Sequence, residues 1–208
     1  MVLDRYRSGW ESTLSPVAAR FHRWGVTPNA LTVASFLFAV AAGVAFLFAR
    51  EDRLHLLLAG AVCVSINAVL DGLDGRLARL ANAESRRGDY LDHVLDRYSD
   101  AAILVGLTLS PMGSHTWGVL AIAGTFLTSY MGTQAQALGL GRNYGGWLGR
   151  ADRLVILLAV PALVSLASLV GLSWPWTPGP LVWMLVYLAV VGHLTALQRF
   201  WAGWRALG

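Results

Sequence analysis

The sequence predicts an all-α integral membrane protein in which six transmembrane helices follow an amphipathic interfacial helix. Hydrophobic residues make up 56% of its 208 residues and charged residues only 13%, against roughly 25% charged residues in a typical soluble domain. This composition excludes a disordered chain, and the single cysteine, Cys63, excludes a disulfide scaffold. The few acidic residues are also clustered, because seven of the twelve fall between positions 71 and 100.

The first 26 residues predict a helix that lies in the membrane interface. Apolar and aromatic residues recur at steps of three or four and define one face: Leu3, Tyr6, Trp10, Leu14, Val17, Phe21 and Trp24. The arginines lie off this face, and aromatic residues opposite arginines are typical of an interfacial helix. An amphipathic helix packed on a protein partner has the same pattern, so this alternative stays open.

Six apolar segments follow, each near the roughly 20 residues that a bilayer crossing requires. They lie near 30–49, 54–78, 89–110, 116–138, 152–172 and 180–198. Short connections that contain Pro, Gly or charged residues separate them. We therefore expect one membrane domain over residues 1–208, with residues 30–198 as its six-span core.

The arginines predict the orientation of these spans. One side holds the N-terminal segment, the 79–88 and 139–153 connections and the C-terminus, which together carry most of the arginines. The other side has only Arg50 and Arg53, beside Glu51 and Asp52. The positive-inside rule then places both termini and the acidic window on the cytoplasmic side of the cell membrane. The net charge of +4 therefore indicates membrane lipids as partners, and we expect no nucleic acid.

Four aspartates in the acidic window are spaced to converge between two antiparallel helices. Asp71 and Asp74 are three positions apart and Asp92 and Asp96 four, so each pair shares a helix face. Carboxylates at membrane depth are costly unless a cation compensates them. A hard divalent ion with oxygen ligands is the simplest cation, and two such ions suit phosphoryl transfer. We expect the remaining acids to be ordinary surface charges: Glu84, Asp89 and Asp100.

Two other interpretations of the four aspartates are weaker. Salt bridges at a helix end would use nearby arginines, namely Arg76, Arg79, Arg86, Arg87 and Arg97, but they account poorly for acids on two inward faces. A small carboxylate-lined transporter needs acids near the bilayer midplane, whereas these cluster towards one interface.

Small residues beside the aspartates indicate room for a ligand. Gly75, Ala78 and Gly88 let a bulky group approach the backbone, although close helix packing explains them equally well. Arg79 is suited to pairing with a phosphate.

The spacing of these residues resembles the signature of the CDP-alcohol phosphatidyltransferase family. All eight fixed positions match: Asp71-x2-Asp74-Gly75-x2-Ala78-Arg79-x8-Gly88-x3-Asp92-x3-Asp96. The six spans, the interfacial helix and the segment Thr27-Pro28-Asn29-Ala30-Leu31-Thr32 are also similar to the family. The resemblance covers essentially the whole chain.

The resemblance implies a reaction in which a CDP-linked lipid donates its phosphatidyl-type group to the hydroxyl of a small polar alcohol, with release of CMP. It implies two divalent cations, Mg²⁺ or Mn²⁺, held by Asp71, Asp74, Asp92 and Asp96. Asp96 is also implied as the base that takes the proton of the acceptor hydroxyl. The implied nucleotide contacts are Asn67, Gly75, Ala78, Arg79 and Gly88. A homodimer is implied as well.

The acceptor is predicted from the stretches 129–136 and 149–153, which are similar to the region where family members that use inositol phosphate bind it. Those members typically show Lys and Arg in the first stretch, where this chain has Gly132 and Gln134. We therefore expect a phosphorylated acceptor such as glycerol phosphate, with inositol phosphate as the alternative. The candidate acceptor-binding residues are Arg142, Arg150 and Arg153, and anchoring to anionic lipid explains these arginines equally well.

Overall fold

The part of the chain that the structure describes forms seven α-helices. The computed structural model describes residues 7–141, 145–172, 174 and 178–208, with side chains from residue 14 onward. The helices are α1 (Arg7–Arg23), α2 (Pro28–Leu47), α3 (His55–Leu80), α4 (Arg86–Leu109), α5 (His115–Ala137), α6 (Arg150–Leu169) and α7 (Pro180–Leu207). A 3₁₀ turn at Glu51–Arg53 precedes α3, and none of the described residues forms a β-strand. The all-α prediction is confirmed.

Polar caps and prolines determine where the helices begin. Thr27 and Ser85 precede α2 and α4, and each side chain accepts a hydrogen bond from the backbone N–H three residues on. Such caps satisfy N–H groups that no helical carbonyl reaches. Pro28 and Pro180 stand at the first position of α2 and α7, where the missing N–H costs nothing.

Small residues let the central helices approach closely. α2 packs against α3 and α4, α5 packs against α7, and α6 lies against α3. A Cβ atom on Gly106 of α4 would collide with the backbone of Gly43 in α2. Around this crossing lies the main apolar core, whose fully buried side chains include Phe46, Leu57, Leu104, Leu107, Leu157 and Leu185.

Four of the helices, α2, α3, α6 and α7, are long and apolar enough to cross a membrane among the residues described. Their outer faces are apolar, with Leu37, Leu163 and Leu169 exposed, as expected for an integral membrane protein. α4 and α5 have 24 and 23 residues, which suffices for a crossing. However, α4 carries four of the acidic residues, and α5 contains polar and small residues, namely Gly, Thr, Ser and Gln. Six spans therefore remain a prediction.

The N-terminal helix is present and packs on its own chain. Ala18 is fully buried against Leu73 and Leu77 of α3, with Leu14 and Phe21 beside it. Two other members of the predicted apolar face, Val17 and Trp24, are exposed, and Leu3, Tyr6 and Trp10 have no described side chain. α1 therefore uses part of its apolar face to cover α3. Its placement in the membrane interface stays a prediction.

Gly106→Ala tests the close contact between α2 and α4. The added methyl group would meet backbone atoms of Gly43, which cannot rotate away as a side chain can. Overpacking typically lowers the free energy of unfolding by about 1–3 kcal/mol, and we expect this variant to lose at least the upper value. The measurement is thermal unfolding in detergent. Gly203→Ala in α7 is the control, because its Cβ would meet nothing within 4 Å and Ala favours a helix. Equal melting temperatures for the two variants would contradict the close contact.

Candidate functional site

The turn between α3 and α4 brings the two halves of the acidic window face to face. Where α3 ends, the Ala83 N–H donates to the Ala78 carbonyl at 2.9 Å and Asn82 has a φ of 49°. This is the hydrogen bond of a Schellman ending, and Asn is one of the few residue types that visit left-handed backbone routinely. Ser85 then caps α4, and the chain returns so that Asp92 and Asp96 lie near Asp71.

Three of the four predicted metal-binding aspartates lie together. Carboxylate oxygens of Asp71, Asp92 and Asp96 are all within 4.8 Å of one another. The three residues are partly buried, which leaves the cluster open on one side. Carboxylate oxygens in this number are the ligands that Mg²⁺ and Mn²⁺ prefer. The donor set therefore fits the divalent cation that the resemblance implies.

Asp74, the fourth aspartate, is not in this cluster. It is 5% exposed, and its Oδ2 accepts a 2.6 Å hydrogen bond from the hydroxyl of Thr32 in α2. A short O–H···O⁻ bond of this kind is strong and ties α2 to α3 beside the cluster. The contact of Thr32 was not predicted, although Thr32 closes the 27–32 segment that resembles the family. A metal-binding role for Asp74 stays a prediction.

Arg150 supplies the positive charge nearest to the cluster. It is the first residue of α6, and its two terminal nitrogens lie 2.7 Å from Asp71 Oδ2 and 2.7 Å from Asp96 Oδ1. The guanidinium thus bridges carboxylates of two different helices. Sequence reasoning considered only nearby arginines as salt-bridge partners, so it missed this long-range pair. It had assigned Arg150 to the acceptor.

A second ion pair lies deeper between α4 and α6. Arg153 donates to Asp100 Oδ2 at 2.7 Å, and Arg97 lies 3.3 Å from the same oxygen. Asp100 is 1% exposed and Arg153 is 3% exposed. The expectation that Asp100 is a surface charge is wrong, because its carboxylate is buried and paired with two arginines. Glu84 and Asp89 are exposed as predicted.

Side chains of α7 fix the loop that leads into α6. The Trp147 N–H donates to Gln198 at 3.2 Å and the Leu148 N–H to Thr195 at 3.1 Å. Arg199 donates to the Gly145 carbonyl at 2.9 Å. From the sequence, Arg199 is only one of the C-terminal arginines expected on the cytoplasmic side. Its role in holding this loop depends on contacts between distant segments.

The residues predicted to contact the nucleotide have different surroundings. A Cβ atom on Gly75 would have only the Arg79 guanidinium nearby, at 3.8 Å, whereas one on Gly88 would lie 3.2 Å from Ser85 and 3.4 Å from Asn29. Gly75 therefore leaves open space, and Gly88 lies in a packed contact. Ala78 is partly buried and Arg79 exposed.

Asn67 lies apart from the other predicted nucleotide contacts. Its side chain is fully buried, and its amide nitrogen donates to the carbonyl and the hydroxyl of Ser35 at 3.0 and 2.8 Å. These hydrogen bonds join α2 to α3 and give Asn67 a packing role, while its predicted nucleotide contact stays a prediction.

The three arginines predicted to bind the acceptor also differ in their surroundings. Arg142 lies outside the described residues. Arg153 is buried against Asp100, so its guanidinium does not face an open site. Arg150 keeps 22% of its side chain exposed and remains the one described acceptor candidate that lies at the edge of the cluster.

Comparison with known proteins extends over nearly the whole chain. The profile of the CDP-alcohol phosphatidyltransferase family matches residues 25–195. A phosphatidylinositol phosphate synthase of Cutibacterium acnes is 33% identical over 99% of both chains. An archaetidylinositol phosphate synthase of Pyrococcus horikoshii is 31% identical over 95% of this chain and 94% of its own.

Solved structures agree with these relatives. The crystal structure of Mycobacterium tuberculosis phosphatidylinositol phosphate synthase with CDP-DAG bound has a TM-score of 0.75 at 28% identity, over 92% of this chain and 93% of its own. The same enzyme in complex with manganese and citrate gives a TM-score of 0.74 at 28% identity, over 92% and 88%.

Asp100→Asn tests the buried pair between α4 and α6. Because the change leaves the Arg153 guanidinium buried without its charged partner, we expect the protein to lose about 3–5 kcal/mol of stability. Thermal unfolding in detergent and the monodisperse fraction on size exclusion measure the loss. Glu84→Gln, an exposed change of the same kind, should leave both unchanged. An Asp100→Asn protein as stable as Glu84→Gln would show that the pair does not hold the two helices together.

Proposed function

The chain belongs to the CDP-alcohol phosphatidyltransferase family, and on that premise we propose that it transfers a phosphatidyl-type group from a CDP-linked lipid to the hydroxyl of inositol phosphate, releasing CMP. The observation that carries this acceptor is the similarity over 99% of both chains to a phosphatidylinositol phosphate synthase. The CDP-DAG in a related structure supports the CDP-linked lipid as donor.

Inositol phosphate is better supported than the glycerol phosphate that we expected from the sequence. That expectation rested on Gly132 and Gln134, which stand where Lys and Arg are typical of members that use inositol phosphate. The similar proteins from Cutibacterium and Pyrococcus both make inositol phosphate lipids, which favours the same class here. Arg150, partly exposed at the edge of the cluster, is our candidate for the acceptor phosphate, because a guanidinium fork binds phosphate in two-point contacts.

The divalent cation of this family would be held by Asp71, Asp92 and Asp96, whose oxygens already lie together, with Asp74 as the further proposed ligand. A cation bound there would neutralise the pyrophosphate and the leaving CMP. The manganese complex of a related enzyme supports a metal-dependent reaction. We retain two ions, Mg²⁺ or Mn²⁺, as the proposed complement.

In the proposed reaction the acceptor hydroxyl oxygen attacks the phosphorus that carries the lipid. Its proton passes to the carboxylate of Asp96, and the bond from that phosphorus to the CMP oxygen breaks. Asp96 suits the role of base because it belongs to the cluster and has only 16% of its side chain exposed, which limits competition from water. Positioning of donor and acceptor supplies most of the rate in such a transfer.

We also propose that α4 and α5 complete a six-span bundle and that α1 lies in the interface. The lengths of α4 and α5 support the bundle. The distribution of arginines supports a cytoplasmic site, with both termini on the same side.

An acceptor comparison tests the proposed function. Purified protein with CDP-diacylglycerol and Mn²⁺ should release CMP with a kcat/KM for inositol phosphate at least about tenfold above that for glycerol phosphate. Asp96→Asn provides the blank, because it lacks the proposed base. Equal or better use of glycerol phosphate would overturn the acceptor assignment. If no acceptor gives CMP above the Asp96→Asn level, the transfer reaction itself is excluded.

Asp71→Asn tests the metal site. Loss of a charged ligand should raise the Mn²⁺ concentration needed for half-maximal CMP release at least about tenfold. Even the loss of a residue that only hydrogen-bonds a metal ligand typically weakens metal binding roughly tenfold or more. A Mn²⁺ series of the same assay measures this. Asp89→Asn is the matched control in the same window, since 72% of its side chain is exposed. An unchanged Mn²⁺ requirement would remove Asp71 from the site.

A further inference from the structure

We propose that Arg150 and the divalent cation are alternative partners of the same carboxylates, so that cation binding releases Arg150 to bind the phosphate of the acceptor. This inference rests on the proposed function, and it adds an order of binding to it. The observation behind it is that the one guanidinium proposed for the acceptor already bridges two proposed metal ligands, Asp71 and Asp96.

The two sets of contacts compete for the same carboxylates, those of Asp71 and Asp96. Arg150 donates a 2.7 Å hydrogen bond to Asp71 Oδ2, and its other terminal nitrogen lies 2.7 Å from Asp96 Oδ1 as an ion pair. These two residues and Asp92 are the described group that can hold a cation. A divalent ion among them would share ligands with a guanidinium and lie close to its like charge. Ion and guanidinium therefore exclude each other.

The backbone at the start of α6 is held in place, whereas the Arg150 side chain is partly exposed. Arg150 is the first residue of α6, and 22% of its side chain is exposed. One turn further on, Arg153 has 4% of its side chain exposed and is paired with Asp100. The preceding backbone at Trp147 and Leu148 is held by α7. The start of α6 is thus fixed, and the long side chain of Arg150 is the part that can turn towards the open side.

The exchange links the cation to the acceptor. Without a cation, Arg150 is paired with Asp71 and Asp96 and offsets part of the negative charge of the cluster, so its guanidinium is not available to an anionic acceptor. With a cation bound, the carboxylates have another partner and the guanidinium fork is released for a phosphate. By thermodynamic reciprocity the cation then raises the affinity for the phosphorylated acceptor, and the acceptor raises the affinity for the cation.

Arginine modification tests the exchange without any turnover. The purified full-length protein in detergent is treated with phenylglyoxal, with and without Mn²⁺ and in the absence of lipid and acceptor, and adducts are quantified by peptide mass spectrometry. We expect Mn²⁺ to raise the adduct yield at Arg150 by about fivefold or more, within the range of typical coupling between sites. Arg153 should stay unreactive, because it is buried. Arg53, which is exposed on the other side of the bundle, should react equally in both conditions.

A second arm uses inorganic phosphate as the probe for the acceptor anion. Phosphate should protect Arg150 from phenylglyoxal when Mn²⁺ is present and should not protect it when Mn²⁺ is absent. Equal protection in both conditions, or an Arg150 yield that Mn²⁺ leaves unchanged or lowers, overturns the exchange.

Loss of the free Mn²⁺ signal in electron paramagnetic resonance reports binding in the same samples. Bound Mn²⁺ with an unresponsive Arg150 overturns the exchange alone, whereas absence of bound Mn²⁺ overturns both the exchange and the proposed metal site. Because no inositol phosphate is present, an error in the acceptor assignment leaves the Mn²⁺ effect on Arg150 intact.

Discussion

The buried ion pair between Asp100 and Arg153 determines how the two halves of the site stand relative to each other. Asp100 lies one helical turn beyond Asp96 on α4, and Arg153 lies one turn beyond Arg150 on α6. The pair is 2.7 Å long and almost inaccessible. Because a buried charge is tolerated only with its partner, the pair favours one register between the helices. In that register Asp96 and Arg150, each one turn before the buried pair on its own helix, are in contact as well.

Polar contacts elsewhere in the bundle keep the same helices in place. Thr32 binds Asp74, and Ser35, about one turn further along α2, exchanges hydrogen bonds with Asn67 of α3. Buried polar groups inside a membrane bundle have no water as an alternative hydrogen-bond partner. Each such contact therefore restricts sliding of α2 along α3. The apolar faces of these helices, by contrast, tolerate many alignments. The carboxylates therefore owe their position to a small number of polar pairs.

The sequence predicted the helices and most of the cluster, because both depend on local spacing. Residues three or four apart share a helix face whatever the tertiary structure is, so Asp92 and Asp96 were correctly predicted to face Asp71 across a turn. Asp100 belongs to the same face one turn on and was nevertheless assigned to the surface. Its burial depends on Arg153, more than 50 residues away, and sequence spacing carries no information about that partner. The packing contact of Asn67 was missed for the same reason, since Ser35 binds it from another helix.

The two arginines at the start of α6 are the same residue type and differ in burial. We assign a structural role to the buried one and a binding role to the partly exposed one. Arg150 and Arg153 are three residues apart and both pair with aspartates of α4 at 2.7 Å. Arg153 is almost inaccessible, and its charge holds the buried carboxylate of Asp100. Arg150 lies one turn nearer the open side, where the same bond can be exchanged for a bond to a phosphate. A helix that enters the site at a fixed register can thus carry one arginine that anchors it and one that is free to change partners.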